Sequence, residues 1–461
     1  MQVCAVVLAA GEGKRMKSKH AKVVHQAAGL PLVSWVKHAL DGAGAHDQVY
    51  IVGHRQEEVR AVLGESVAFV LQEQQLGTGH AVLQASHFLE GRRGATLILC
   101  GDTPLVTSDS LKRVLEEFES GQYAAIVVTA EAPDPTGYGR ILRDPNGHVQ
   151  AIVEHRDATP EQRAIREVNA GMYCFDTALL LSALGRIGCR NSQQEYYLTD
   201  TIEILKQDGH TIGACTLPFE EILGVNDRRQ LQQSMTILNQ RILDRHMLNG
   251  VTILDPQSTW IEQQVVIGMD TTILPGSSIK GETRIGCDAV IGPDTHLVDM
   301  HVAEGVRLDH VTASESSIGA RSYIGPYSHI RPGSKIGPNC RLGNFVEIKN
   351  STLGADCYLI HQCYIGDTDV GCNVNIGSSS STANYDGVNK SRSAIGSHAF
   401  IGSNSCLVSP VSVAENAYVA AGSTITEGVS EYALAIARAH QINKEDWVKT
   451  RGLIRNQRLN P

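Results

Sequence analysis

No stretch of this chain approaches the roughly 20 consecutive apolar residues needed to cross a bilayer. A basic block is missing too: 40 Lys and Arg stand against 49 Asp and Glu, a formal charge of −9. That balance offers no footprint for nucleic acid or an anionic membrane, and it favours solubility. The eleven cysteines form no C-x-x-C pair and no Cys/His zinc spacing, and their number is odd. They read as free thiols in a reducing compartment rather than as a disulfide framework. The apolar run in "MQVCAVVLAAGEGKRM" is too short for a signal peptide, and its positive charges lie on the wrong side. These absences predict a cytoplasmic protein with no membrane insertion. At 461 residues the chain exceeds one ordinary core, so two or three domains are expected.

What is present falls into two halves. From Val3 to about Asn226, short runs such as "VCAVVLAA", "QVYIVGH", "AFVLQE", "ATLILCGD" and "AAIVVTAE" alternate with helix-length segments, among them Pro31–Ala43 and Gln56–Leu63. This alternation predicts βαβ units and a mostly parallel sheet covered on both faces, with ligands beyond the carboxyl ends of its strands. Residues 227–250 predict a connecting amphipathic helix with Leu231, Ile237, Leu238 and Ile242 on its apolar side. After it, branched residues recur every six positions: Ile261 to Leu297, Ile318 to Ile348, and Ile395 to Ile425, often followed by glycine. A six-residue period fits neither a helix nor a simple strand, but it fits a parallel β-helix of hexapeptide repeats with branched residues inside and small or polar corners. Three hexads per coil over 251–437 predict on the order of ten coils, roughly 4.8 Å apart. Between Ile376 and Ile395 the period lapses, so a polar loop is expected to leave the wall there. The tail after Arg451 reads as mobile.

Several motifs carry possible chemistry. "LAAGEGKRM" follows the first strand, and a glycine-rich turn there presents backbone N–H groups to phosphate. It has no third glycine for a dinucleotide fingerprint and no Lys-Ser ending for a P-loop. Asp102, after "TLILC", stands where a metal-phosphate site would lie, although a helix cap would also suit it. Taken singly, Gly77-Thr78 could be only a turn, and Glu154 and Asn169 only solvated loop residues.

In order and spacing, however, "QEQQLGTGHA", "CGDTP", "GYGRI", "VEH", "EVNAG" and "GVNDR" resemble the uridylyltransferase branch of the sugar-phosphate nucleotidyltransferases. Over residues 3–450 the chain resembles the bifunctional N-acetylglucosamine-1-phosphate uridylyltransferase / glucosamine-1-phosphate N-acetyltransferase family. The resemblance implies a Rossmann-like nucleotidyltransferase domain (1–226), a linker helix (227–250) and a left-handed β-helix acetyltransferase domain with a tail (251–461). It implies nucleotide contacts from Leu8, Ala9, Ala10, Gly11 and Gly101, with Arg15 and Lys22 on the triphosphate. Gln72, Gly77 and Thr78 would read the uracil, Gly139, Glu154 and Asn169 would hold the sugar, and Asp102 and Asn226 would bind Mg²⁺. An anionic sugar phosphate must attack an anionic α-phosphate, so cations and positioning carry the chemistry, and no general base is required. The family usually has Pro-Lys where Ala21-Lys22 stands, and an aromatic where Cys100 stands; both departures are expected to modulate activity.

In the second half the same resemblance assigns Arg331, Lys349, Tyr364 and Asn375 to the sugar phosphate and His361 to the general base. Ser378, Asn384, Tyr385, Ser403, Ala421 and Arg438 would line the acetyl-CoA path, with Asn384 and Tyr385 near the acetyl group. An imidazole, ordinarily of pKa about 6.5, suits proton removal from an attacking amine, and the oxyanion then needs a fixed donor. Where the family reads IGAGTITCNYDG this chain reads "IGSSSSTANYDG". Ser379 would cost roughly 1–2 kcal/mol if its backbone is left-handed, and Ser381 about 2–4 kcal/mol if its position is fully buried. "RAHQ" in place of Arg-Val-Pro-Gln would loosen the segment carrying Arg438. The resemblance also implies a homotrimer whose neighbouring rods share acetyl-transfer sites. A monofunctional uridylyltransferase with a purely structural rod, a synthase for a different nucleotide sugar, and a trimeric scaffold that binds neither substrate are the alternatives.

Overall fold

The short Val/Ile/Leu runs of the first half become strands of one sheet in a computed structural model that describes residues 1–453. Its spatial order is Ile212–Thr216, Ala125–Glu131, Glu167–Asp176, Ala95–Cys100, Val3–Ala9, Asp47–Val52, Ala68–Leu71. The strands run parallel except Glu167–Asp176, which is antiparallel to both neighbours and pairs with a hairpin of Arg140–Arg143 and Val149–Val153. Because both faces are covered, alternate residues enter different cores. Ala5, Val7, Tyr50, Leu97 and Leu99 join one, while Val6, Val49, Ile51 and Ile98 join the other. Both are closed to water, which explains runs that are apolar throughout rather than alternating. The chain divides into two units, Met1–Asp244 and Arg245–Pro461.

The helix Arg228–Leu248 crosses that boundary. Its Leu231, Leu238, Ile242 and Leu243 are buried, while Ile237 is only half-buried. Leu231 and Leu238 pack with Met16, Leu32, Leu105 and Val225 of the first unit.

In the second unit the hexad ladder is the inside of a coiled ribbon. Ile261 pairs in register with Ile279, Ile279 with Leu297, and Ile267 with Ile285. Strands stack into three walls, which we number from their first members: Thr252–Ile253, Trp260–Ile261 and Val266–Ile267. The third wall has nine strands, in keeping with about ten coils. Two long strands, Arg341–Lys349 and Tyr358–Gly366, turn the corner from the first wall onto the second. Corners take left-handed backbone at Asp288, Asp356, Asn373, Asn404 and Asn416, the types whose short polar side chains tolerate it best. Buried hydroxyls tie coil to coil: Ser322 Oγ donates to Gly337 O at 2.9 Å and accepts from Cys340 N at 3.0 Å.

The structure corrects the reading of the serine run. The wall does not end at Ile376. Ser381–Ala383 is a strand whose Ser381 pairs with Tyr364 and Cys406, and Thr382 takes the inward position opposite Leu407. The excursion is therefore shorter, from Tyr385 to about Arg392. It is closed by a Tyr385–Lys390 bridge and by Asp386 Oδ1 accepting from Val388 N (2.8 Å) and Asn389 N (2.7 Å). Ser381 is half-buried, so the penalty for a missing core side chain does not apply there. Ser379 has φ of 60°, so the left-handed backbone that costs serine roughly 1–2 kcal/mol is present there. The expectation about the tail falls mostly on 454–461, which lie outside the described residues.

Candidate active sites

The first site forms where two parallel strands end side by side, with Leu8 opposite Cys100. The chain leaves one as Ala10-Gly11 and the other as Gly101-Asp102, and Gly101 N donates to Leu8 O at 2.9 Å. Gly13 then turns with φ of 63°, and a Cβ there would lie 2.7 Å from Lys22 Cβ, so glycine lets the loop fold back onto Lys22. Val225 N donates to Asp102 O (2.9 Å), which brings Asn226 alongside. Lys22 Nζ donates to Asp102 Oδ2 and to Asn226 Oδ1 (3.3 Å), while Arg15 Nη2 donates to the same Asn226 oxygen at 2.9 Å. Two cations, a carboxylate and an amide oxygen thus meet at one point.

A cavity of about 340 Å³ opens beside them, lined by Leu8, Gly11, Lys22, Gln72, Thr78 and Asp102 among others. Gln72 is buried and its Nε2 lies 3.0 Å from His80 Nδ1, while Thr78 Oγ1 accepts from Leu198 N at 3.1 Å. Gln75, Cys100 and Glu195 also line this cavity and were not singled out as site residues from the sequence. The Cys100 thiol is pushed up to about 12 by burial and then by the Asp102 charge, so it stays protonated. A second cavity of about 300 Å³ is lined by Arg15, Asp102, Tyr138, Asn226 and Gln230.

Gly139, Glu154 and Asn169 are brought together as well. Asn169 N donates to Gly139 O (2.9 Å), and Glu154 Oε1 lies 3.5 Å from where a Gly139 Cβ would stand. The amide of Asn169 donates to Tyr173 OH at 2.7 Å and accepts from Gly171 N at 3.1 Å, which fixes its plane. Burial, then Asp157 and Asp200, push the Glu154 carboxyl up.

Asp102 and Asn226 offer two oxygens that already converge on one cation, the Lys22 ammonium. Hard-oxygen donors of this kind suit Mg²⁺ when phosphate and water supply the remaining ligands. Among the described residues no three His, Cys, Asp or Glu side chains gather into a preformed cage.

In the second unit most of the sequence-derived residues fall at two edges of the second wall. At the corner with the first wall, register places His361, Ser378, Ser403 and Ala421 at equivalent positions on successive coils. Arg438 continues the column, its Cδ 3.7 Å from the Cβ position of Gly422. His361 is exposed and its side chain makes no hydrogen bond among the described residues. At the corner with the third wall lie Lys349 and Asn384, both bonded to Asp367, with Arg331 on the preceding coil paired to Glu347 at 2.8 Å. Tyr364 lies on the wall between the edges. Its hydroxyl is 2.3 Å from where a Cβ on Gly366 would stand, and Asn384 Nδ2 is 2.9 Å from that same point. Only glycine lets both groups close on this edge. Asn375 stands apart on the first wall, between Tyr358 and Phe400, and exposed Tyr385 bonds only within its own loop.

A nucleotidyltransferase-type α/β unit with cations gathered at its strand ends, followed by a hexapeptide β-helix, defines a two-domain transferase. The chain matches the MobA-like NTP transferase domain over residues 5–170, the bacterial transferase hexapeptide (six repeats) over 315–350, and the hexapeptide repeat of succinyl-transferase over 394–427. It is 49% identical over 455 residues to the Bifunctional protein GlmU of Acetivibrio thermocellus, covering 98% of this chain and 99% of the relative. The corresponding proteins of Geobacillus sp. strain WCH70 (48%, 98% and 99% covered) and Halalkalibacterium halodurans (49%, 96% and 98% covered) are similarly related. The chain belongs to the bifunctional GlmU family: it is an enzyme, a nucleotidyltransferase joined to a left-handed β-helix acyltransferase.

Proposed function

We propose that the second unit acetylates glucosamine 1-phosphate with acetyl-CoA, and that the first unit transfers UMP from UTP to the resulting N-acetylglucosamine 1-phosphate. What carries the reading is that one chain holds two separate constellations: the Arg15–Lys22–Asp102–Asn226 cluster and the His361–Ser378–Ser403–Ala421–Arg438 column. In the first, the turn of Leu8 to Gly11, with Gly101, holds the nucleotide, Gln72, Gly77 and Thr78 read the base, and Gly139, Glu154 and Asn169 seat the sugar. Arg15 and Lys22 neutralise the triphosphate and the departing pyrophosphate. Mg²⁺ on Asp102 and Asn226 would add Lewis-acid charge compensation there. When a triphosphate enters, Lys22 exchanges a carboxylate partner for phosphate oxygens, so this ammonium is reserved for the substrate.

In the second unit Arg331, Lys349, Tyr364 and Asn375 hold the sugar phosphate and His361 takes the amine proton as nitrogen attacks the thioester carbonyl. Asn384 and Tyr385 face the acetyl group, while Ser378, Ser403, Ala421 and Arg438 form a track along one edge for acetyl-CoA. Ser378 serves through its backbone, which the serine run leaves intact. Asn375 lies on a different wall from Lys349 and Tyr364, which supports a homotrimer in which neighbouring rods complete each site. Light scattering of the purified protein should then give the mass of three chains. Among the described residues no helix is long and apolar enough to cross a membrane, and the substrates proposed are those of the cytoplasm. The test is a two-channel assay of one preparation. Thiol release from acetyl-CoA upon adding glucosamine 1-phosphate, with pyrophosphate release from UTP and N-acetylglucosamine 1-phosphate, is expected; loss of either channel refutes that half.

A further inference from the structure

Asp367 was not among the residues singled out from the sequence, yet it joins three successive coils. It is 7% exposed and occupies a left-handed corner, φ 50°, between the second and third walls. Its Oδ1 accepts from Asn350 Nδ2 at 2.6 Å. Its Oδ2 accepts from Lys349 Nζ at 3.1 Å and from the amide of Asn384. The backbone holds it equally firmly: Asp367 N donates to Lys349 O (2.9 Å), and Ser393 N donates to Asp367 O (3.0 Å). Burial alone would push this carboxyl up, but hydrogen bonds from Asn350, Lys349 and Asn384 outweigh it and keep the group ionised.

We infer that Asp367 is a positioning residue for acetyl transfer, holding the Asn384 amide and the Lys349 ammonium in their working orientations. The inference rests on the acetyl-transfer reading above. Asn384 commits one amide hydrogen to Asp367, which fixes the amide plane and leaves its second N–H and its carbonyl oxygen for substrate. Lys349 likewise keeps two N–H groups free while its long stem is held by one bond. Three donors converge on this carboxylate, and its two oxygens are enough for them. An amide at the same place would offer one oxygen and turn an N–H₂ group toward at least one donor. Asp367→Asn therefore keeps the size of the side chain, misorients Asn384 and releases the positive charge of Lys349.

The experiment measures kcat and KM for glucosamine 1-phosphate in the full-length protein, wild type and Asp367→Asn. The expected result is a kcat lowered roughly 10- to 100-fold, the scale of losses from misplaced groups. KM for the sugar phosphate should change less than kcat, because the Lys349 charge that meets the phosphate is retained, and uridylyl transfer by the same sample should match wild type. Asp367→Glu keeps the charge and moves it by one methylene. A positioning role predicts a comparable kcat loss there with the melting curve retained, which separates positioning from folding. An unchanged kcat in Asp367→Asn, full rescue by Asp367→Glu, or a raised KM with normal kcat overturns the inference alone. A wild-type protein that releases no thiol overturns both the inference and the acetyl-transfer reading.

Discussion

At Lys22 one ammonium meets oxygens from residues 80 and 204 positions away, Asp102 and Asn226. Replacing it with alanine removes the charge that must balance the triphosphate and leaves Asp102 unpaired. Lys22→Ala should lower uridylyl transfer roughly 10²- to 10³-fold, read as pyrophosphate release, and leave acetyl transfer intact. Asp200 gives a prediction of different sign. Its carboxyl is raised from 3.8 to about 6, by burial first and by Glu203 second. Above pH 6 it is ionised in the folded and unfolded chain alike, and burying that charge weakens the fold. As pH falls through 6 the folded state takes up the proton first, so the penalty fades and is gone below the unfolded value near 4. Asp200→Asn should therefore stabilise the protein by about 1–3 kcal/mol at pH 7.5 and by almost nothing near pH 4, read from denaturant melts at both values.

At the scale of elements, the four serines sort by position rather than by identity. Ser380 is an inner corner residue, 2% exposed, whose hydroxyl donates to Gly402 O at 3.0 Å and accepts from Ser405 N at 3.4 Å. Ser380→Ala leaves Ser405 N without its acceptor, although Gly402 O keeps the Ser405 hydroxyl at 2.6 Å, and should cost about 1–3 kcal/mol, whereas half-buried Ser381→Ala should cost less than about 0.5 kcal/mol. Ser379→Gly relieves roughly 1–2 kcal/mol of left-handed strain but returns up to about 1 kcal/mol of chain entropy, so a slight gain is expected. Thermal melts of the three variants test this ordering. The hexad wall itself was legible because each coil packs only on its neighbours, so one six-residue rule repeats from Ile261 to Ile425. Where polar Thr382 takes the inward place of an apolar residue, the six-residue rule is masked and the sequence alone implies too long a loop. Asp367 was hidden for another reason. Its partners lie 17 or 18 residues away, one coil up or down, and that distance means contact only once the coil is known.

Over the whole molecule, the motifs of the first candidate site were legible because strands that end side by side bring Leu8 to Gly11 and Gly101-Asp102 together whatever the loops contain. The lining contributed by Glu195 depends on how a distant loop folds over that edge, and no local pattern announces it, whereas Gln75 and Cys100 sit within or beside the motifs themselves. The central claim is that two chemistries reside in two units of one chain and are separable. The direct measurement takes wild type, His361→Ala and Lys22→Ala through both assays: thiol release from acetyl-CoA with glucosamine 1-phosphate, and pyrophosphate release from UTP with N-acetylglucosamine 1-phosphate. The account predicts both activities in wild type, loss of thiol release alone in His361→Ala, and loss of pyrophosphate release alone in Lys22→Ala. A wild-type protein that releases pyrophosphate but no thiol would contradict it and leave the β-helix a scaffold.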